Sequence, residues 1–164
     1  MPVIAPDALK EALIYNETTG VFTWAKKVSV KTVVGAAAGS LTNYGYLTIR
    51  LHKKAYLAHR LAWFYVHGKW PLGEIDHING IRLDNRVANL RDVSGAVNRQ
   101  NIRSPKCTST SGVLGVSWCK RRGMWRARVT SNRKEICVGY FDDIDSAKAA
   151  YLSAKKELHQ GCTL

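Results

Sequence analysis

The chain has 164 residues with 25 Lys plus Arg against 12 Asp plus Glu, a formal net charge of +13, 46% hydrophobic residues and four cysteines. That length suits one domain or two small ones joined by a linker, and the apolar fraction is enough for a packed core, which excludes a wholly disordered chain. Too few cysteines are present for a disulfide scaffold, and no apolar run reaches the ~18 residues that cross a membrane.

The opening MPVIAPDALKEAL lacks the basic start and apolar stretch of a secretory signal, so a cytosolic setting with reduced thiols and no membrane partner is expected. Pro6 to Ile14 reads as a short helix with Leu9, Leu13 and Ile14 on one face, and Thr19-Gly20 turns the chain into a β-rich Val21 to Trp24. Gly35 to Gly39 reads as a loop rather than a phosphate cradle, because no Lys-Ser/Thr follows it. Tyr46 to Leu51 reads as a strand, Lys53-Lys54 as a turn, and LAHRLAWFYVHG as a helix with Leu57, Leu61, Phe64 and Tyr65 at helical spacing, stopped by Gly68 and Pro71. Short strands follow at Glu74-Ile75 and Leu90 to Val93, parted by an Asn79-Gly80 turn, and Ser94 can cap a helix from Gly95 to Asn101. Residues 104–111, rich in Ser, Thr and Pro, read as a linker. Beyond it, strand-like runs near Val113 to Trp118, Met124 to Thr130 and Glu135 to Tyr140 are parted by Arg122-Gly123 and Ser131-Asn132 turns. An amphipathic helix closes the chain from about Ser146 to Leu158, with Asp143 or Asp145 as cap and Ala147, Ala150, Tyr151, Ala154 and Leu158 as its stripe. The predicted class is α+β.

Charge is uneven along the chain. From Arg99 to Lys134 lie ten basic residues (among them Arg103, Lys106 and Arg133) and no acid, a local positive field suited to a polyanion such as nucleic acid. Cys107, Cys119, Cys137 and Cys162 form no C-x-x-C pair, so no structural zinc is expected.

The segment GEIDHINGIRLDNRVANLRDVSGAVNRQN, residues 73–101, carries the chemistry. Two short strands and a helix bring Asp76, His77, Asn89 and Asn98 within reach of one another. Asp76 offers a carboxylate and Asn98 an amide oxygen, the hard donors that a sparsely liganded Mg²⁺ or Mn²⁺ prefers. A neutral imidazole suits a general base, so His77 can take a proton from water, and its second ring nitrogen needs an acceptor that Asn89 could supply. These types fit metal-assisted hydrolysis of a phosphodiester.

The segment resembles the HNH (ββα-metal) endonuclease motif in the D-H…N…N form of phage and intron homing endonucleases. Asp76-His77 is followed by Asn89 and Asn98 at thirteen and twenty-two residues, and AHRLAW, with His59 and Arg60, resembles a run common upstream of that motif. The likeness covers about residues 55–101. It implies a ββα-metal core in which His77 activates water, Asp76 and Asn98 bind one divalent metal, and Asn89 orients His77. The commonest family pattern has His where Asn98 stands, which here favours Mg²⁺ or Mn²⁺ over softer metals.

Residues 112–160 resemble the ethylene-response-factor (Apetala-two) DNA-binding domain through Gly115-Val116-x-Trp118, Trp125-x-Ala127-x-Val129, Val138-Gly139-x-Phe141 and Ala147-x-x-Ala150-Tyr151. In that family a three-stranded sheet enters the major groove with a helix on its other face. Strand alternation turns Trp125, Ala127 and Val129 toward the helix and leaves Arg126, Arg128 and Thr130, flanked by Lys120, Arg121 and Arg122, to face DNA. Ser117 stands where the plant family has a base-contacting Arg, so its sequence preference does not transfer. The expected organisation is a nuclease part over 1–103, a linker over 104–111 and a reader over 112–164. The expected activity is a DNA endonuclease on double-stranded DNA, monomeric or homodimeric. The competing expectation is a non-catalytic DNA-binding transcriptional regulator.

Overall fold

A computed structural model describes residues 4–105, 107–131, 134–159 and 161–163, so Lys106 and Arg133 of the basic stretch, and Asn132 of the expected Ser131-Asn132 turn, lie outside the described residues. Helices and small antiparallel sheets alternate along the chain, giving the expected α+β class. Two compact units result, Met1–Ser94 and Gly95–Leu164. The division precedes residues 104–111 because Gln100 accepts from the Gly161 N–H at 3.0 Å and Asn101 accepts from the Thr163 hydroxyl at 2.6 Å, tying this stretch to the chain's last residues.

In the first unit, helix α1 (Pro6–Ala12) starts on a proline whose fixed φ suits the first turn. It ends two residues sooner than expected. Leu13–Asn16 is instead strand β1, paired antiparallel with β2 (Val21–Trp24) from Leu13↔Trp24 to Asn16↔Val21. Ile14 and Tyr15 are better strand than helix formers, and the hairpin buries Leu13 and Tyr15 beside Phe22. At Gly20 (φ +72°) a Cβ would stand 2.5 Å from the Arg86 backbone nitrogen, so only glycine fits the close approach of this hairpin to the loop at Asn85 and Arg86.

Strands β3 (Ser40–Leu41), β4 (Leu47–Leu51) and β5 (Lys54–Leu57) form an antiparallel sheet in that order. The turn between β4 and β5 is His52-Lys53, one residue earlier than expected, and both residues take positive φ (48° and 64°). Without the usual Asn-Gly signal the turn's exact place was not marked in the sequence, and β5 after it was read as turn at Lys54 and as the start of the helix at Leu57. Helix α2 (Ala58–His67) turns Ala58, Leu61, Ala62 and Phe64 into the core and ends at Gly68, left-handed at φ 67°, whose N–H reaches the Phe64 carbonyl at 2.9 Å. Leu9, Leu13, Phe22, Ile49, Leu51 and Leu61 are fully buried in one cluster. Each contributes roughly 1.5–3 kcal/mol of transfer free energy. Against this core β6 (Glu74–His77) and β7 (Leu90–Val93) pair antiparallel, from Glu74↔Val93 to His77↔Leu90, with a 3₁₀ turn at Val87–Asn89 just before β7.

The second unit opens with the short helix α3 (Gly95–Gln100), none of whose residues is buried. Strands β8 (Val116–Cys119), β9 (Met124–Ser131) and β10 (Lys134–Phe141) form an antiparallel sheet with β9 in the centre. Helix α4 (Ile144–Leu158) is capped by Asp143, whose side chain accepts from the Ser146 N–H at 2.7 Å. As the alternation predicts, Val116, Ala127 and Val129 bury against Ala147 and Tyr151, with Trp125 packed at the margin. The helix stripe differs at its end. Leu158 is 37% exposed, and Lys155 at 1% takes the third buried place after Ala147 and Tyr151. Successive i+4 steps lead to Lys155, whose aliphatic stem can fill the site while its ammonium finds a carbonyl. At Gly115 (φ +73°) a Cβ would lie 2.1 Å from the Tyr151 ring, so this glycine lets the ring close on the sheet.

Candidate active site on the β6–β7 hairpin

The register of the hairpin decides what stands next to the two central residues. Asp76 pairs across the strands with Arg91, and His77 with Leu90. Arg91 donates through Nε and Nη2, at 2.8 and 2.7 Å, to the same oxygen of Asp76, Oδ2. The ion pair is three-quarters to nine-tenths buried, with side-chain exposures of 25% for Arg91 and 7% for Asp76. His77 is buried too, and its Nε2 lies 3.2 Å from Asn85 Oδ1. An amide oxygen only accepts, so Nε2 carries the hydrogen and Nδ1 the lone pair. Burial holds the His77 imidazole below its ordinary pKa, while the Asn85 hydrogen bond and then the carboxylates of Asp76 and Asp84 pull it back up. The outcome is a neutral imidazole of fixed tautomer in a partly compensated pocket.

Asn89 does not supply the acceptor expected of it. Its Oδ1 accepts the Asn79 N–H at 2.9 Å, and its amide donates to Asn79 Oδ1 at 3.0 Å and to the Asp84 carbonyl at 2.9 Å. A residue at the end of a 3₁₀ turn faces back over the loop from Ile78 to Asp84, so Asn89 ties that loop closed and Asn85 meets the imidazole instead. Asn79 adds a bond to Asp84 Oδ2 at 2.7 Å, and Arg86 grips Asp84 with Nε and Nη2 at 2.7 and 2.6 Å. Those donors, Arg86 first, hold the Asp84 carboxyl down to about 2. The Tyr15 hydroxyl fixes the Asn85 backbone, donating to its carbonyl at 2.8 Å and accepting the Val87 N–H at 3.0 Å. Burial pushes that phenol up to about 12, which keeps it a donor.

A ring cluster backs the imidazole. His59, on the buried face of α2, meets His77 edge to face at 5.0 Å between centroids, and Tyr46 lies 5.3 Å from His59 and 6.1 Å from His77. The Arg82 guanidinium covers the Tyr46 ring at 5.1 Å. Burial, then the neighbouring His77 and Arg60, push His59 down to about 3, and its buried Nδ1 has no hydrogen-bond partner among the described residues. Arg60 points elsewhere, donating to the Gly73 carbonyl at 3.2 Å.

The remaining expected residues lie in the second unit. Asn98 sits on α3. Lys120, Arg121 and Arg122 are exposed at the β8–β9 turn, where Gly123 takes φ 63°. On the outer sheet face Arg128 donates to Glu135 Oε2 at 2.7 Å, with Arg126 4.0 Å from the other oxygen, while Thr130 stands opposite Glu135 and is exposed. The Arg122 guanidinium lies 4.3 Å above the Tyr140 ring. Four free cysteines are dispersed, and among the described residues no group of three or more His, Cys, Asp or Glu side chains could hold a metal. A buried carboxylate with amide oxygens nearby in sequence is a sparse, hard donor set of the kind that suits a divalent cation keeping most of its waters.

Against known proteins, residues 56–100 match the family model described as HNH endonuclease, a span that holds α2, the whole hairpin and α3. The chain is also 41% identical over 107 residues to protein 3.8 of Escherichia phage T7, an overlap of 65% of this chain and 87% of that protein. The chain belongs to the protein 3.8 family. Within it, the HNH endonuclease domain at 56–100 supports a nuclease, and His59, Asp76, His77, Asn85 and Asn89 all fall inside that domain. No solved structure matches the chain. No helix among the described residues is long and apolar enough to cross a membrane.

Three residues of the HNH domain escaped the sequence reading: Asn85 against His77, Arg91 against Asp76, and Asp84 at the centre of the loop. A tight hairpin at Asn79-Gly80 would have set Leu83 opposite Asp76; the observed register, with the long loop from Ile78 to Asn89 between the strands, is what brings Arg91 there. Asn85 carried no such signal, because it comes from the irregular loop.

Proposed function

We propose that the protein is a metal-dependent endonuclease that hydrolyses phosphodiester bonds of double-stranded DNA. The observation that carries this reading is the buried, neutral His77 with Nε2–H directed to Asn85, next to Asp76, inside the HNH domain. With its hydrogen on Nε2, His77 accepts a proton at Nδ1 from a water molecule whose oxygen attacks phosphorus. The bond from phosphorus to the 3′ oxygen breaks, and that oxygen takes a proton from solvent water, leaving a 5′ phosphate and a 3′ hydroxyl. Asp76 and Asn98 are the residues proposed to hold one Mg²⁺ or Mn²⁺, Asn98 on the strength of its place in the motif. That ion, when bound, offsets negative charge on the phosphate and the departing oxygen. Arg91 orients the Asp76 carboxylate, Asn85 the imidazole, and Asn89 keeps the loop between them in shape. The rings of His59 and Tyr46 pack against the imidazole, and that burial helps keep it unprotonated near neutrality.

The ββα-metal core and the ERF-like reader belong to the same proposal. The reader is supported by its motifs, by three antiparallel strands with one packed helix, and by basic side chains on the outer face. In it Arg126, Arg128 and Thr130, with Lys120, Arg121 and Arg122, contact the duplex, and residues 104–111 precede it as a connecting stretch.

A supercoiled plasmid with Mg²⁺ tests the catalytic assignment. His77→Ala should lower nicking by roughly 10²–10⁴-fold while DNA binding persists. Equal cleavage by the two proteins removes His77 as the base. No metal-dependent cleavage by the wild type, with DNA binding intact, favours a DNA-binding regulator instead, for which the basic sheet face alone would suffice.

A further inference from the structure

We propose that a notch in the second unit binds the phosphate of a nucleotide unit. It is a cavity of about 980 Å³ bounded by α3, Pro105, the stretch from Thr108 to Gly115, the part of β9 beyond its pairing with β8, and α4. Arg99, Lys155, Ser109, Thr110, Leu114 and Tyr151 are among the residues that line it.

Lys155 is the feature that calls for a ligand. Only 1% exposed, it donates to the Ile102 carbonyl, and its ammonium lies 5.9 Å from the centre of the Tyr151 ring. No carboxylate pairs with it among the described residues. An ammonium withdrawn from water without a counter-ion is costly, and the position lies on a helix stripe where an apolar residue would pack at no such cost. Arg99 adds an exposed guanidinium with no ion pair among the described residues. Glu135 is the one acid among the lining residues, and it is already bound to Arg128 at 2.7 Å. The hydroxyls of Ser109 and Thr110 add neutral donors. His159 lines the same space; its Nε2–H donates to the Thr130 carbonyl at 2.8 Å, and its Nδ1 is buried with no partner among the described residues.

An anion therefore balances this notch, and its size and walls narrow the choice. A bare phosphate would fill a small part of the volume, which lies at the upper end of ligand pockets. Leu114, Val113 and the edge of Tyr151 supply an apolar wall of the kind on which a base can lie, beside cations that take its phosphate. The ligand class is a nucleotide unit, free or within a strand. No residue of the β6–β7 hairpin lines the notch, so it stands or falls independently of the proposed hydrolysis, while Arg128, Thr130 and Glu135 of the sheet do line it.

Amide ¹H–¹⁵N spectra of the full chain, titrated in turn with deoxyadenosine monophosphate, deoxyadenosine and a single-stranded trinucleotide, test the assignment. The nucleotide should shift the amides of Ser109, Thr110 and Gly115 with a Kd below roughly 1–10 mM, and the uncharged nucleoside should not. Lys155→Met should weaken binding about tenfold or more, and Arg99→Ala about three- to tenfold, with the unbound spectra otherwise preserved. Tighter binding of the trinucleotide identifies a strand as the source of the phosphate; binding of the mononucleotide alone identifies a free nucleotide. No shift with either phosphate compound, or equal shifts with deoxyadenosine, overturns the proposal. Should Lys155→Met fail to fold, Arg99→Ala at its exposed position decides, and an unchanged Kd there overturns the proposal as well.

Discussion

Set side by side, the hairpin that carries Asp76 and His77 and the sheet that carries Arg126 and Arg128 treat polar groups in opposite ways. On the hairpin each central polar side chain has a fixed partner nearby: Arg91 on Asp76, Asn85 on His77, Asn79 and Asp84 on Asn89. On the sheet the cations stand on an outer face or at a turn tip, one acid shared between two of them. The first arrangement fixes a tautomer and a loop shape before any substrate arrives, as proton-transfer chemistry requires. The second leaves charge available to a partner that brings its own phosphates. Rigidity by hydrogen bonding and availability by exposure are thus separate properties of separate parts of the chain.

Removing Asn89 attacks the rigid side of this contrast and should have the largest effect. Asn89→Ala deletes three hydrogen bonds and strands the Asn79 N–H and the Asp84 carbonyl, for a loss of about 2–4 kcal/mol in unfolding free energy. Asn85→Asp is the sharper companion, since it preserves volume and alters only the group facing Nε2. It should lower kcat of DNA nicking about 10–100-fold at little change in KM. Urea unfolding and steady-state kinetics on both variants read the two effects. If Asn89→Ala lowers kcat alone, with stability unchanged, it acts on the imidazole after all and not through the loop.

The same contrast explains what could be read in advance. The two longer strands of the sheet and α4 were legible to within about two residues, and β8 only from Val116 on, because alternation at Trp125, Ala127 and Val129 and helical spacing at Ala147 and Tyr151 are periodic signals that burial imposes directly. Asp76 and His77 stood out in the sequence as part of the D-H…N…N pattern, and the span that holds them matches the HNH family model. Asn85 was not, because a loop residue's partner depends on how the loop closes, and that closure is set by Tyr15 and Gly20, some seventy residues upstream. Strands β1 and β5 were missed for a related reason: each is short, and its pairing rests on a turn or a hairpin partner rather than on its own pattern. Lys155 broke a periodic rule, which periodicity alone could not foretell.

Acid should expose the hairpin's burial next. His59 is held down to about 3 and His77 below its ordinary value, so in the folded state both stay neutral where the unfolded chain takes up protons. A lowered folded pKa means stability present above about 6.5 and lost as pH falls from there toward 3 for His59, by about 1.4 kcal/mol per pH unit for each such histidine. Denaturant unfolding at pH 7, 6 and 5 should show the decline. His59→Phe, which keeps the ring packing against His77 and Tyr46, should make the slope shallower by one proton's share. An unchanged slope places the proton uptake elsewhere.

The smallest effect belongs to the open side, where Glu135 masks Arg128 and lies near Arg126. As an exposed ion pair it contributes only about 0–1 kcal/mol to folding, so Glu135→Gln should leave the unfolding midpoint nearly unchanged. Its influence on DNA binding should be larger than its influence on stability. A carboxylate on this face repels phosphates and competes with them for the Arg128 guanidinium. Neutralising it frees up to two cations, and each additional phosphate contact steepens the slope of log K against log salt by about 0.9. Duplex binding by Glu135→Gln should therefore tighten several-fold at low salt and lose that advantage as salt rises. Arg128→Ala should weaken binding by less than the removal of an unmasked cation at the turn tip, such as Arg121→Ala, because part of its charge is already engaged. Equal losses for the two arginines, with no gain from Glu135→Gln, would mean that DNA does not meet this face, and the contrast between a closed site and an open one would then rest on the hairpin alone.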